Sequence, residues 1–296
     1  MDHAPVDPWT LAWPAPAKLN LFLHVIGRRA DGYHLLQSVF RLIDLADTLR
    51  FAPRADGEVR RGAGPEGVPE DEDLVVRAGR LLKAETGCAA GATISIEKRI
   101  PMGAGLGGGS SDAATALMAL NRLWDLGLPV AELMRIGLRL GADVPFFLLG
   151  RNAFVEGVGE LLQPIDVAPA WYLVVVPGIG VPTREIFAAP ELTRDTKPIK
   201  IQGFSTSAGR NDLEPVVRRR YPAVARAIDW LSAFGDARMT GSGACVYAEF
   251  RTEREAREVL SRMPADMRGM VARGLDHHPL ADLPGDPGQL GSRQVG

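Results

Sequence analysis

Residues 101–120 read PMGAGLGGGSSDAATALMAL, with five glycines and two serines running straight into a segment of helical pattern. Ala113, Leu117, Leu120 and Trp124 recur at helical spacing and predict an amphipathic helix. Ser110, Ser111 and Asp112 are each of the type that caps a helix N-terminus. Glycine lacks a Cβ, so a ligand can come close to its backbone and a positive φ costs nothing. A helix that starts there turns its free N–H groups and the positive end of its dipole toward the same space. Gly103, Gly105, Gly107, Gly108 and Gly109 are more than close packing requires. The segment Pro101, Met102, Gly103, Ala104, Gly105, Leu106, Gly107, Gly108, Gly109, Ser110 and Ser111 is therefore predicted to seat a phosphate chain.

Three well-known phosphate loops do not fit. Gly103-x-Gly105-x-x-Gly108 matches the dinucleotide fingerprint in form only. Lys98-Arg99-Ile100-Pro101 stands where its hydrophobic strand belongs, and no strand ending in an acid follows at the right distance. No Gly-Lys-Ser/Thr closes a Walker loop, and neither H-R-D nor D-F-G is present.

Working outward, Leu19, Leu21, Leu23 and Val25 alternate with Asn20, Phe22, His24 and Ile26, which predicts a strand buried on both faces. Lys18 and Asn20 share one face at its entry. Asp31-Gly32 marks a turn, followed by Tyr33 and His34. Residues 38–51 are expected as strand, loop, strand, and 54–72 as a charged surface excursion. Helices are predicted over about 73–85 and 130–140, and a strand over 92–98. Gly141-Ala142-Asp143-Val144-Pro145 reads as a tight turn. In the second half the pattern is strand (171–178), helices (211–219 and 222–234), a Gly/Ser turn into a strand (239–250), helix (252–263) and strand (271–275). The composition shift near 150–170 suggests domains over 13–165 and 166–280, with 1–12 and 281–296 as flexible ends.

The chain has 296 residues, 46% hydrophobic and 24% charged, which suits folded domains and excludes wholesale disorder. Thirty-four basic residues against 36 acidic ones leave no field for a polyanion, so neither nucleic acid nor a membrane is an expected partner. Two cysteines, far apart, exclude a disulfide framework and a cysteine zinc site. No apolar run is long enough for a bilayer, and the Pro-rich start has no apolar signal core, so a cytoplasmic protein is expected.

The glycine segment, together with PAKLNLFLHVIGRRADGYHLLQSVF (16–40), LGADVPFF (140–147) and TGSGACVYAEF (240–250), resembles the GHMP kinases over about residues 13–280. The resemblance implies an α+β fold of two domains. The first is ribosomal-protein-S5-like and the second ferredoxin-like, with the active site in the cleft between them. It implies an ATP-dependent kinase with Mg²⁺ accompanying the ATP and no dedicated metal cluster in the protein. The PAKLNLFL…DGYH combination implies a small-molecule substrate, cytidine-diphosphate methylerythritol, phosphorylated by a monomer or weak homodimer.

Residue by residue, the resemblance makes Asp143 the candidate base, and a carboxylate in a Gly–Pro turn suits that chemistry. Lys18 is its partner, keeping the carboxylate ionised or contacting the moving phosphoryl. Residues 101–111 bind ATP. Asn20, Tyr33, His34, Thr183 and Phe187 bind the acceptor, with Tyr33 and His34 as the cytosine pair. Gly241-Ser242-Gly243 is expected near the substrate phosphates. Asp73 stands where the family commonly has Asn, near the adenine pocket. Two other readings stay open: another small-molecule GHMP kinase, and a non-catalytic nucleotide-binding protein on the same fold.

Overall fold

A computed structural model describes residues 7–201 and 209–282. Strands β1 (Trp13–Arg28) and β2 (His34–Arg54) form one long antiparallel hairpin, closed by the Asp31-Gly32 turn and paired from Arg28↔His34 to Trp13↔Leu49. β1 is buried along nearly its whole length, as its two apolar faces require.

The break expected within 38–51 is absent, because β2 is a single unbroken strand. The two acids within it are absorbed by partners. Asp44 is exposed and accepts the main-chain N–H of Arg273 (2.7 Å). Asp47 is buried and accepts those of Arg99 (2.6 Å) and Ile100 (2.8 Å). Bulges between Pro16 and Ala17 and between Asn20 and Phe22 let β1 stay paired across this stretch.

A short β3 (Val59–Arg61) lies parallel to β4 (Gly91–Glu97), with α1 (Leu74–Thr86) crossing between them. β4 then pairs antiparallel with β2. Three helices follow: α2 (Gly108–Leu123), α3 (Val130–Leu138) and α4 (Val144–Leu149). Leu82, Leu117, Leu120, Phe146 and Phe147 seal these helices onto Leu49 and Ile94 of the sheet. β5 (Ala153–Glu156) and β6 (Leu161–Pro164), which the sequence pattern did not announce, add a small hairpin against β2.

The second half runs β7 (Trp171–Val176), α5 (Thr183–Ala188), α6 (Glu214–Arg220), α7 (Pro222–Ser232), β8 (Arg238–Met239), β9 (Val246–Phe250), α8 (Glu253–Leu260) and β10 (Arg268–Leu275). Its strands lie in the order β10-β7-β9-β8, all antiparallel. This is the split βαβ arrangement of a ferredoxin-like unit, with the first strand between the last and the third. Residues 202–208 lie outside the described residues.

The halves share one sheet, since β10 also pairs with β2 through Gly274↔Ile43 and Leu275↔Leu42. β1 serves both cores. Its Leu23 and Val25 pack with Leu173 and Ile228, while Leu19, Leu21 and Phe22 pack with Tyr172 and Tyr247. A division at 165/166 is retained as a proposal for where the chain passes from one half to the other. No helix among the described residues is long and apolar enough to cross a membrane.

Candidate active site

The glycine segment enters α2 earlier than its capping residues suggest. Gly107, at φ +73°, is the N-cap, and Ser110, Ser111 and Asp112 lie inside the helix. The first helical bond runs from the Ser111 N–H to the Gly107 carbonyl (2.9 Å), so the amides of 108–110 precede it and have no partner within the helix. The carbonyls of the loop turn into the protein instead. Leu106 accepts the Lys18 main-chain N–H (3.0 Å), Ala104 accepts that of Cys245 (3.1 Å), and Gly105 accepts the Thr240 hydroxyl (3.3 Å). A Cβ at Gly105, where φ is +78°, would sit 2.3 Å from the Thr240 carbonyl oxygen, so glycine alone fits there. The loop is thereby stitched to β1 on one side and to the 240–245 turn on the other.

β1 carries Lys18 and Asn20 to this seam, both almost fully buried (3% and 2% exposed). The Lys18 ammonium donates to Asn20 Oδ1, lies 4.5 Å from the centre of the Phe40 ring, and is 3.7 Å from Asp143 Oδ2. Burial holds its pKa below the usual lysine value, while the charge of Asp143 and a hydrogen bond to it pull the other way. Asn20 is itself fixed: its amide donates to Ser38 Oγ (2.9 Å), and its main-chain N–H donates to Thr240 Oγ1 (3.0 Å).

Asp143 occupies the N-cap position of α4, yet its side chain makes no capping bond, which frees the carboxylate for the cleft. The ordinary structural use of such an acid is thus not taken up here.

Two cavities meet at Gly103, Gly105 and Gly107. One, about 370 Å³, is lined by Pro101 through Ser110 together with Asp73, Leu74, Lys98 and Asp112. The other, about 300 Å³, is lined by Lys18, Asn20, Asp143, Thr183, Phe187 and Ser242 among others. Thr183 and Ser242 bridge the mouth of the second with an Oγ1···Oγ contact of 2.6 Å. His34 lies against Phe187, with centroids 5.1 Å apart. Tyr33 stands on the preceding turn and is 65% exposed. The structure therefore brings Lys18, Asn20, Asp143, Thr183, Phe187 and Gly103, Gly105 and Gly107 around one space, puts His34 at its edge, and leaves Tyr33 reaching into solvent.

Several contributors carried no signal in the sequence. Ser38, Phe40 and Thr240 order Lys18 and Asn20 from distant strands, and only the β1–β2 register reveals two of them. Lys98 bridges the buried acids Asp47 and Asp112, the latter at 2.7 Å. Burial, reinforced by the charge of Asp47, raises Asp112 to about 7. Asp73 is occupied at both oxygens, by the Val75 N–H (3.1 Å) and by Arg61 (3.1 Å), so this side chain serves α1 capping as well as lining the first cavity.

Among the described residues no cluster of three or more His, Cys, Asp or Glu side chains is arranged to hold a metal. Ser111 Oγ is buried without a partner at the start of α2. Hydroxyls and amides there suit a Mg²⁺ ion that is carried mainly by phosphates and water.

An amide-lined loop shared by two cavities, with a buried lysine and an uncapped aspartate at the junction, defines a small-molecule kinase site. Residues 73–151 match the family description "GHMP kinases N terminal domain" and residues 199–269 match "GHMP kinases C terminal". The chain belongs to the GHMP kinase family.

Within that family it is similar to 4-diphosphocytidyl-2-C-methyl-D-erythritol kinases. That of Thiobacillus denitrificans is 63% identical over 92% of this chain and 98% of its own. That of Aromatoleum aromaticum is 60% identical over 90% and 94%. A crystal structure of 4-(cytidine 5'-diphospho)-2C-methyl-D-erythritol kinase superposes with a TM-score of 0.79 at 36% identity, covering 89% of this chain and 99% of that one. A mevalonate kinase crystal structure, at 16% identity and a TM-score of 0.69, shares the fold.

Proposed function

We propose that this chain transfers the γ-phosphoryl group of ATP to the 2-hydroxyl of 4-diphosphocytidyl-2-C-methyl-D-erythritol, giving the 2-phosphate and ADP, a step in non-mevalonate isoprenoid precursor synthesis. The observation that carries the reading is the Lys18–Asp143 pair, 3.7 Å apart where the two cavities meet the glycine loop.

The cavity on the α2 side takes ATP, with its phosphates along the loop amides and the positive helix end. The other takes the acceptor. Its cytosine goes toward Tyr33, His34 and Phe187, its diphosphate toward Thr183 and the Gly241-Ser242-Gly243 turn, and its hydroxyl toward Asn20 and Asp143. The hydroxyl oxygen bonds to the γ phosphorus as the bond to the β–γ bridging oxygen breaks, and the hydroxyl proton passes to Asp143. Lys18 is held by Asn20 and Phe40, so its charge is in place before the phosphoryl group arrives and needs no reorganisation. Mg²⁺ bound with ATP would be held by the phosphates and the hydroxyls of Ser110 and Ser111, and it would neutralise phosphate charge.

A monomer or weak homodimer is the assembly proposed for this chain. The substrate is a small cytoplasmic metabolite, with neither nucleic acid nor membrane as partner. Acceptor-dependent ADP release tests the reading. Turnover is expected with the cytidine-diphosphate acceptor. Turnover with mevalonate or homoserine instead would assign a sibling reaction, and no acceptor-dependent ADP at all would make the chain a nucleotide-binding protein.

A further inference from the structure

Arg194 follows α5 and carried no expectation from the sequence, yet its guanidinium gathers four partners from the edge of the acceptor cavity. Nε donates to His34 Nε2 (3.0 Å) and Nη1 to the Leu192 carbonyl (3.0 Å). Nη2 donates to the carbonyls of Phe187 (3.0 Å) and Ala189 (2.6 Å). One side chain thus fixes both the ring of His34 and the backbone of the residue stacked on it.

The His34 contact has a chemical consequence. A guanidinium is permanently charged and only donates. His34 Nε2 is therefore the bare, accepting nitrogen, and in a neutral imidazole the proton then sits on Nδ1. A second proton is opposed by burial and by the charges of Arg194 and Arg28, which lower the His34 pKa. The ring is left as a neutral group with one N–H to offer.

A pyrimidine distinguishes itself at N3, which is a bare acceptor in cytosine and an N–H donor in uracil. An imidazole that can only donate at its free nitrogen accepts the first and rejects the second, because two donors facing each other leave both unpaired. We propose that Arg194 is a positioning residue for the acceptor's base, holding His34 as the Nδ1–H tautomer and thereby favouring a cytidine over a uridine diphosphate acceptor. The proposal rests on the function assigned above, and it adds to that function a residue that acts through His34.

Two measurements on the full chain test it. In the ¹H–¹⁵N long-range spectrum of ¹⁵N-histidine protein, the five histidines are few enough to resolve, and His34→Gln assigns the signal. Wild-type His34 is expected as the Nδ1–H tautomer, and Arg194→Gln as a mixture. A wild-type Nε2–H or cationic ring near neutral pH overturns the proposal even if the variant does not fold.

In steady-state kinetics, Arg194→Gln is expected to raise KM for the cytidine acceptor about tenfold to a hundredfold. kcat and the KM for ATP should stay near wild type, and the cytidine-to-uridine ratio of kcat/KM should fall by a similar factor. Equal losses with both acceptors, or a fall in kcat alone, would make Arg194 a merely structural residue. Failure of the wild type to use the cytidine acceptor overturns the function reading instead, while the tautomer spectrum still decides what Arg194 does to His34.

Discussion

Asp143 sits where a helix wants a cap and does not cap it. Its side chain is one-third exposed, but its ionic neighbour Lys18 is buried, so replacing it removes the base and also leaves a buried ammonium without its counter-charge. Asp143→Asn is expected to lower kcat about 10²- to 10⁴-fold and, through the unpaired Lys18, to cost about 1–3 kcal/mol of unfolding stability. ADP release and denaturant unfolding measure the two, and a variant that keeps the wild-type rate removes Asp143 from the base role.

Asp112 is the converse case, a buried acid in α2 whose cost is structural. Its folded pKa, raised to about 7, lies above the ordinary 3.8, so between roughly pH 4 and 7 the native state holds a proton that the unfolded chain has released. Stability contributed by this group therefore falls as pH rises across that window. Asp112→Asn removes the ionisation, and its stability relative to wild type should improve by about 2 kcal/mol between pH 5 and pH 8. An unchanged difference at the two pH values would show that Lys98 fully offsets the burial.

Lys18, Asn20 and Asp143 were named through the family resemblance, and the structure brings the three to one cavity. The parts of Asp112 and Arg194 were not legible, since a charge in a helix or a loop reads the same whether solvated or buried until its neighbours are known.

At the scale of elements, the glycine segment was readable as a loop entering a helix, but the start of that helix was misjudged by up to a turn. Capping preference favours Ser and Asp, whereas Gly107 wins the position because the chain there passes against Lys18 and Phe147 with φ positive. The long β2 was misread because β4, which pairs with its second half, and the main-chain groups that hold Asp44 and Asp47 lie far away in the sequence. β1 was legible because burial on both faces leaves an apolar run that only a central strand explains.

The glycines of the loop are not equivalent, and this can be measured. Gly105→Ala places a methyl against the Thr240 carbonyl at 2.3 Å in a positive-φ residue. It should cost about 2–4 kcal/mol and unseat the loop from the 240–245 turn. Gly109 lies within α2 at ordinary helical φ, with its nearest neighbour 3.4 Å away on the Leu74 side chain. Gly109→Ala should leave stability unchanged or raise it by up to about 1 kcal/mol, while raising KM for ATP if phosphate passes over that backbone. Equal stability losses in both variants would mean that the loop is not pinned to the second half at Gly105.

Over the whole molecule, the cleft works only if the two halves stay in register, because Lys18 comes from one and the 240–245 turn from the other. The continuous sheet supplies that register, and Arg41 stands at its joint. It is fully buried on β2, donates to the carbonyls of Val167 (3.2 Å) and Ala168 (3.4 Å) ahead of β7, and pairs with Asp276 (3.0 Å) just beyond β10. Gly274 of β10 packs directly on its guanidinium. Removing the side chain leaves carbonyls of the second half without a donor at a buried seam, a loss of about 2–4 kcal/mol.

Because β1 and β2 belong to both cores, that loss should not free one half from the other. Wild type and Arg41→Met are each expected to unfold in one transition, with tryptophan fluorescence and far-UV circular dichroism coincident and the variant's midpoint lower. Trp9, Trp13 and Trp124 report on the first half, and Trp171 and Trp230 on the second. Two separated transitions in the wild type would show that the halves are stable alone and that the shared strand does not couple them. Separation in the variant only would locate the coupling in Arg41 itself, and acceptor turnover should then fall in step with the population in which the halves have parted.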